Sequence, residues 1–318
     1  MSFKDIIGQD KAAALLGKIL KERRVGQAYL FVGPDGVGKG ISALTFAKAL
    51  NCLKSDTDPC GACESCTKIE RSVHPDVSVL KDSADKVKIH EIRALQNAIS
   101  LKPYEGKNKV FIIENAERLT EDAAHAFLKT LEEPPGHSVI ILTGSNLERI
   151  LPTIQSRCHI IRFLRLGVDD IKGFLVKRHG LDESEAQLLA RLSNGSLSRA
   201  MGFIDKERLQ MRRRLLDDFI KTRKSFSSES ASWLFGISKT ELKEVLGILE
   251  SVYRDMLVAK IGGPSSVLLN KDRQKDVSFV TSSYSVEEIF EMLGDVQRYK
   301  FYLDRNVNTK LLVDQLLI

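Results

Sequence analysis

Apolar residues along the first half of this chain fall into short runs, at Ala28–Val32, Val77–Leu80, Lys109–Ile113, Ser138–Thr143 and His159–Phe163. Between them the apolar spacing becomes helical, as in Ile41, Leu44, Phe46 and Ala47, or in Ile89, Ile92, Leu95 and Ile99. A further helix is expected from Ala123 to Leu131, stopping before Glu132-Glu133-Pro134-Pro135. Strand and helix in alternation predict an α/β fold, with a mostly parallel sheet covered by helices on both faces. Strand signals end near Leu164–Asp169, and from there to Ile204 the pattern is purely helical and short. Beyond Asp205 it stays helical. Leu242, Val245, Leu246, Leu249, Val252, Tyr253, Met256 and Leu257 keep a 3.6-residue period, as do Val286, Ile289, Leu293, Val296 and Leu303. A last helix is expected from Asn308 to Ile318, its apolar residues suiting either a core or an oligomer contact. Two polar stretches, Lys221–Ser232 and Gly262–Val277, read as exposed loops. The pattern gives three domains: 1–166 around the sheet, a small helical lid at 167–205 and an all-helical domain at 206–318.

Composition narrows the class. The chain has 318 residues, 43% hydrophobic and 28% charged, a soluble globular profile with room for two or three domains. No apolar run is long enough to span a membrane, and Met1-Ser2-Phe3-Lys4-Asp5 does not read as a signal peptide, so a cytoplasmic location is expected. A net charge of +6 permits contact with nucleic acid without requiring it. Lys102, Lys107 and Lys109 are candidates for such contact by charge alone, and a solvated loop explains them better.

Chemistry enters after the first strand. Gly33-Pro34-Asp35-Gly36-Val37-Gly38-Lys39 lies between a strand and a helix start, an arrangement that aims backbone N–H groups at a phosphate. Gly33, Gly36, Gly38 and Lys39 are the expected nucleotide-binding positions. The next residue, Gly40, lacks the Ser or Thr hydroxyl that ligates Mg²⁺, and Ser42 is two residues away on another face of the helix. The strand Lys109–Ile113 runs into Glu114-Asn115-Ala116-Glu117, where a phosphate-loop ATPase ends in Asp-Glu. Glu114 stands in the Asp place and Asn115 in the Glu place, and an amide is no general base. Gly40, Glu114 and Asn115 are therefore three degenerate hydrolysis positions. Binding of ATP or ADP is expected to survive, with Mg²⁺ coordination compromised and turnover lost.

Four of the five cysteines lie within fifteen residues, Cys52, Cys60, Cys63 and Cys66. Four thiolates at this spacing suffice for a tetrahedral structural zinc site, and in a reducing compartment the clustering favours a metal over disulfides. The insert at 52–66 has almost no apolar core, so metal binding would fold it. A zinc-dependent nucleic-acid module would want aromatic or basic residues in that loop, which offers only Lys54.

Several segments taken in order then resemble a known family. Ile7-Gly8-Gln9-Asp10, the phosphate loop, the four-cysteine insert, Glu132-Glu133-Pro134-Pro135, Ser156-Arg157-Cys158 and Gly195-Ser196-Leu197-Ser198-Arg199-Ala200 follow the pattern of the clamp-loader branch of the AAA+ ATPases. Within it the chain is most similar to the delta-prime subunits of bacterial DNA polymerase III, and the likeness extends to Asn306-Val307-Asn308 and the leucines after them. The resemblance implies an AAA+ sheet domain, a lid and an all-helical collar. It implies that Arg157 is a trans arginine finger reaching a neighbour's nucleotide site, that Arg199 is the lid's second-sensor Arg, and that Ile7–Asp10 packs over the adenine. The first sensor falls at Ser145 or Asn146. The implied function is a stator that helps load the sliding clamp on primed DNA, with gamma/tau-type motor subunits on one side and a delta subunit on the other. Polymerase nucleotidyltransferase activity would belong to the whole holoenzyme. The alternative is a gamma/tau-like motor ATPase, which would carry Lys-Ser/Thr in its loop and Asp-Glu after the core strand. This sequence has neither, and the long tail of some motor subunits is not expected.

Overall fold

The computed structural model describes residues 2–80, 86–222, 232–305 and 307–317. Five strands appear where the apolar runs place them: β1 (Ala28–Val32), β2 (Val77–Leu80), β3 (Lys109–Ile113), β4 (Ser138–Gly144) and β5 (His159–Arg162). They form one parallel sheet in the order β2-β3-β4-β1-β5, with Leu30 opposite Leu142 and Ile160, and Ile112 opposite Ile141. The period of two divides the side chains between the sheet's faces. Tyr29, Phe31, Ile112 and Ile141 pack on one side against Leu16 of α1 (Asp10–Lys21) and Phe46 and Ala47 of α2 (Lys39–Asn51). Leu30, Val32, Phe111, Ile113 and Leu142 pack on the other against Ile92 and Leu95 of α4 (Ile89–Ile99) and Phe127 and Leu131 of α5 (Glu121–Glu132). The short α3 (Glu64–Glu70) lies between α2 and β2 in the chain. Local signals start the helices: the Thr120 hydroxyl accepts the Ala123 N–H ahead of α5.

The chain divides into two compact units, 1–174 with 195–198, and 175–194 with 199–318. After α6 (Pro152–Gln155) come α7 (Val168–His179), α8 (Glu183–Leu192), α9 (Leu197–Gly202) and α10 (Lys206–Thr222), then α11 (Lys239–Lys260), α12 (Gln274–Thr281), α13 (Val286–Asp304) and α14 (Thr309–Leu317). In the second unit Leu215, Leu216, Phe219, Leu242, Val245, Leu246, Leu249, Val252, Val296 and Leu303 share one core. Capping boxes start α11 (Ser238 with Glu241) and α13 (Ser285 with Glu288). Leu312 and Val313 of α14 are buried in the same core, whereas Leu311 is exposed.

Two loop expectations need correction. Gly262–Val277 is not simply exposed. The buried Asp255 carboxylate accepts the N–H groups of Leu269 and Asn270, pulling Leu268 and Asn270 inside, and α12 begins within the stretch with Val277 buried. Of Lys221–Ser232, residues 223–231 lie outside the described residues, and Lys221 ends within α10. Asn306 and Ile318 of the terminal segment are also outside them.

A buried carboxylate prepares the entry to β3. Asp76, just before β2, accepts N–H groups from Tyr104 and Glu105 at 2.8 Å and from Gly106 at 2.7 Å. Burial pushes its carboxyl upward, but these three donors, with the charge of Lys109, outweigh that and hold it below the usual carboxylate value. A folded-state value below the unfolded one means stability present above about pH 4 and lost as pH falls through the folded value. Asp76→Asn should therefore destabilise the chain by about 2 kcal/mol at pH 7. Urea denaturation across pH should show the gap between wild type and variant narrowing below pH ~4.

Candidate phosphate site and cysteine centre

The three loops that follow β1, β3 and β4 leave the same, carboxyl-terminal edge of the parallel sheet, where α/β folds place ligands. After β1, Gly36 and Gly38 take left-handed conformations with φ of 75° and 99°, and Gly38 caps α2. Gly33 is required for a different reason. A Cβ there would lie 2.2 Å from the Phe163 carbonyl oxygen. Lys39 is buried, its Nζ donating to the carbonyls of Gly33 at 2.5 Å and Pro34 at 2.8 Å, with the Asp35 carboxylate at 3.7 Å. Burial drives its ammonium down from the usual lysine value, against the opposing charges of Asp35 and Glu117. Gln9, from the Ile7–Asp10 segment, clamps the loop: its Nε2 donates to Val37 and Leu164 carbonyls, and its Oε1 accepts the Leu164 N–H. Leu197 N–H in turn bonds the Gly36 carbonyl at 2.9 Å.

The degenerate positions form a matched set. A Cβ on Gly40 would lie 3.0 Å from Glu114 Oε1, so the longer carboxylate uses room that a side chain at position 40 would need. Asn115 adopts φ 56° and ψ 61°, a left-handed conformation that asparagine tolerates, and its N–H meets the Thr143 hydroxyl. That turn brings Glu117 round to the site, a residue the sequence pattern alone did not single out. Both the backbone N–H and the hydroxyl of Ser145 donate to Glu117 Oε1, while Oε2 is buried with no hydrogen-bond partner among the described residues. Of the two first-sensor candidates, Ser145 therefore faces the site. Asn146 instead accepts the Glu148 N–H to cap the next turn. The only sequence signal for Glu117 was a second carboxylate three residues past Glu114.

Arg157 lies just beyond α6, a third exposed, with Nη2 2.5 Å from Glu132 Oε1 and Nη1 2.8 Å from the Thr153 carbonyl. The adjacent Cys158 is half-buried against the core of the sheet domain, and burial pushes its thiol up to about 12. In the second unit, a Cβ on Gly247 of α11 would meet Arg199 Nη2 at 3.3 Å, and the Arg199 charge opposes the burial that raises Glu244.

The four cysteines of the insert converge. The Sγ atoms of Cys52, Cys60, Cys63 and Cys66 all lie within 4.8 Å of one another, and Cys52 and Cys63 are 4.0 Å apart. A tetrahedral thiolate site with bonds of about 2.3 Å needs sulfurs about 3.8 Å apart, so the cluster fits a metal ion. Backbone N–H groups of Cys60, Cys63 and Cys66 point at the sulfurs of Cys52, Cys60 and Cys63. Burial raises the Cys63 thiol, but the N–H groups of Leu53 and Cys66 and the neighbouring thiols bring it down to about 6. The lysines expected to be solvated are not all so: Lys109 is buried with Nζ on the Ala98 carbonyl, and Lys107 ties the Cys52 carbonyl to Asp56. Lys102 remains exposed.

Comparison with known proteins fits this geometry. The family model for the DNA polymerase III delta subunit matches residues 8–167, and that for the delta subunit's C terminus matches 206–318. The DNA polymerase III subunit delta' of Bacillus subtilis is 30% identical over 98% of this chain and 95% of its own length. This chain belongs to the DNA polymerase III delta subunit family. The tau subunit of Escherichia coli is 36% identical over 64% of this chain, an alignment spanning 33% of that relative. A solved gamma subunit-related protein from Thermotoga maritima aligns with 95% of this chain and 97% of its own, at 17% identity and a TM-score of 0.47. Among the described residues no helix is long and apolar enough to cross a membrane.

The cluster gives a direct test. Cys63→Ser should lower bound metal from about one ion per chain to near zero, read by elemental analysis. Proteolysis should then open the 52–67 segment while the sheet keeps its cooperative urea transition.

Proposed function

We propose that this chain is the delta-prime-type stator of a DNA polymerase III clamp loader, a ring subunit that helps place the sliding clamp on primed DNA without hydrolysing ATP itself. One observation carries the reading. The phosphate loop keeps its glycine geometry and Lys39, while the groups that ligate Mg²⁺ and activate water are replaced as a set at Gly40, Glu114 and Asn115. A loop so altered can hold phosphate through its N–H groups, yet no carboxylate stands at position 115 to take a proton from water.

The same reading assigns the other roles. Arg157, partly exposed at the rim of the sheet domain, is the finger offered to the nucleotide of a gamma/tau-type neighbour, where its charge stabilises the transferred phosphoryl group. Arg199 is the second-sensor Arg. Cys52, Cys60, Cys63 and Cys66 hold structural Zn²⁺, which folds an insert lacking a core of its own. In this reading residues 1–166 are the AAA+ domain, 167–205 the lid and 206–318 the collar, which joins motor and delta subunits in a cytoplasmic ring. Polymerase activity belongs to the holoenzyme.

Steady-state ATPase of the reconstituted ring on primed DNA tests this. The isolated chain should show no DNA-stimulated turnover. Adding it to motor and delta subunits should raise turnover, and Arg157→Ala should abolish that rise, since a finger contributes about 10³-fold or more at the site it serves. Turnover by the chain alone that is lost in Lys39→Ala would move it to the motor class.

A further inference from the structure

The contact between Arg157 and Glu132 serves neither hydrolysis nor the packing of the core, and its setting is odd. Glu132 is the last residue of α5 and Glu133 its C-cap, so two carboxylates stand where the helix dipole favours cations. Natural chains break such a local rule mainly where something else depends on it. Here the guanidinium of Arg157 supplies the missing positive charge, with Nη2 donating to Glu132 Oε1 at 2.5 Å. Nη1 donates to the Thr153 carbonyl and, at 3.3 Å, to the Ser156 hydroxyl. Of the five N–H groups of a guanidinium, Nε–H and one Nη2 hydrogen are left without a partner among the described residues.

We propose that Glu132 is a positioning residue that acts as a reversible latch on Arg157, holding the finger against its own subunit until the phosphates of a nucleotide on the neighbouring subunit replace the carboxylate. This rests on the finger reading of Arg157. The two anions compete for one cation. A carboxylate in charge-assisted contact with the guanidinium offsets the charge that the finger would bring to a phosphate. The pair is exposed, with side chains 33% and 48% accessible, so solvent screens it and holding it contributes little. A weak contact suits a latch: it fixes one resting position for a long side chain and yields to the denser negative charge of a triphosphate. Coupling nucleotide occupancy next door to release from Glu132 makes subunit contact sensitive to that nucleotide.

The test is a double-mutant cycle on the full-length chain. Affinity for the purified motor subunit is measured with that subunit loaded with a non-hydrolysable ATP analogue and again without nucleotide. The dissociation constant without nucleotide divided by that with the analogue reads the finger. Glu132→Gln keeps the side chain's shape and removes the competing charge, and should increase that ratio about two- to fivefold, the range for an exposed ion pair. Glu133→Gln should leave it unchanged. In an Arg157→Ala background, Glu132→Gln should have no effect. If Glu132→Gln leaves the ratio unchanged, lowers it, or alters it equally with Arg157 absent, the latch is wrong while the finger stands. If Arg157→Ala itself leaves the ratio unchanged, the finger reading fails and takes the latch with it.

Discussion

Gly33 approaches the Phe163 carbonyl so closely that only hydrogen fits on its α-carbon, and the sheet domain's working edge is organised around that contact. The approach ties the end of β1 to the residue after β5, two strands that already share the register from Tyr29–His159 to Val32–Arg162. Once the chain is pinned there, Gln9 can bond both Val37 and Leu164, because the loop and the post-β5 segment are neighbours. Leu166 N–H then bonds the Gly195 carbonyl, and Leu197 N–H returns to Gly36. Gly36 and Gly195 are themselves too crowded for a Cβ, with neighbouring atoms at 2.2 and 2.7 Å. One close backbone approach thus sets the loop, and three further contacts hold it.

The electrostatics of the loop are shaped by what this frame allows. Lys39 has its Nζ turned onto two loop carbonyls, which satisfies a buried ammonium that would otherwise carry a heavy desolvation penalty. Asp35 is close but largely exposed, so its charge is screened, and the carbonyls fix the geometry. Glu114 and Glu117 add negative charge from the β3 side, one facing Gly40 and the other held by Ser145. A Mg²⁺-dependent hydrolase needs a hydroxyl and a short carboxylate on the metal and a free carboxylate on water. Here the hydroxyl is gone, the carboxylate is one methylene longer, and position 115 carries an amide. Loss of one group would leave a crippled ATPase. Gly40 and Glu114 are neighbours, so a side chain at position 40 would require the Glu114 carboxylate to shift.

Much of the fold was legible because its signals are local and periodic. Five strands, the helix from Ile89 to Ile99 and the long helices carrying Leu242–Leu257 and Val286–Leu303 all stand where the apolar spacing puts them. Cys52, Cys60, Cys63 and Cys66 converge as their spacing suggests. What could not be read depends on distant partners. Strand order has no trace in any one strand. Gly262–Val277 looks like a polar loop until Asp255, on another element, draws two of its N–H groups inward. Lys109 looks solvated until the Ala98 carbonyl receives it. Glu117 was invisible because its direction is set by the left-handed turn at Asn115, a conformation that a pattern of apolar and polar letters does not encode.

Retention of the phosphate loop in a chain with an altered hydrolytic set then has a mechanical explanation. Its glycines serve close packing as much as phosphate: Gly33 admits Phe163, Gly36 admits Ser196, and the Gly36 carbonyl receives Leu197. Lys39 is a strut between loop carbonyls, and Gln9 and Leu164 exchange hydrogen bonds beneath it. Replacing these residues would disturb the domain whether or not a nucleotide binds. Gly40, Glu114 and Asn115 are the positions that depart from the hydrolase pattern: Gly40 faces Glu114, and Asn115 makes the turn to Glu117 with its N–H on the Thr143 hydroxyl. Constraint by structure thus accounts for the parts of the loop that keep the phosphate-binding pattern.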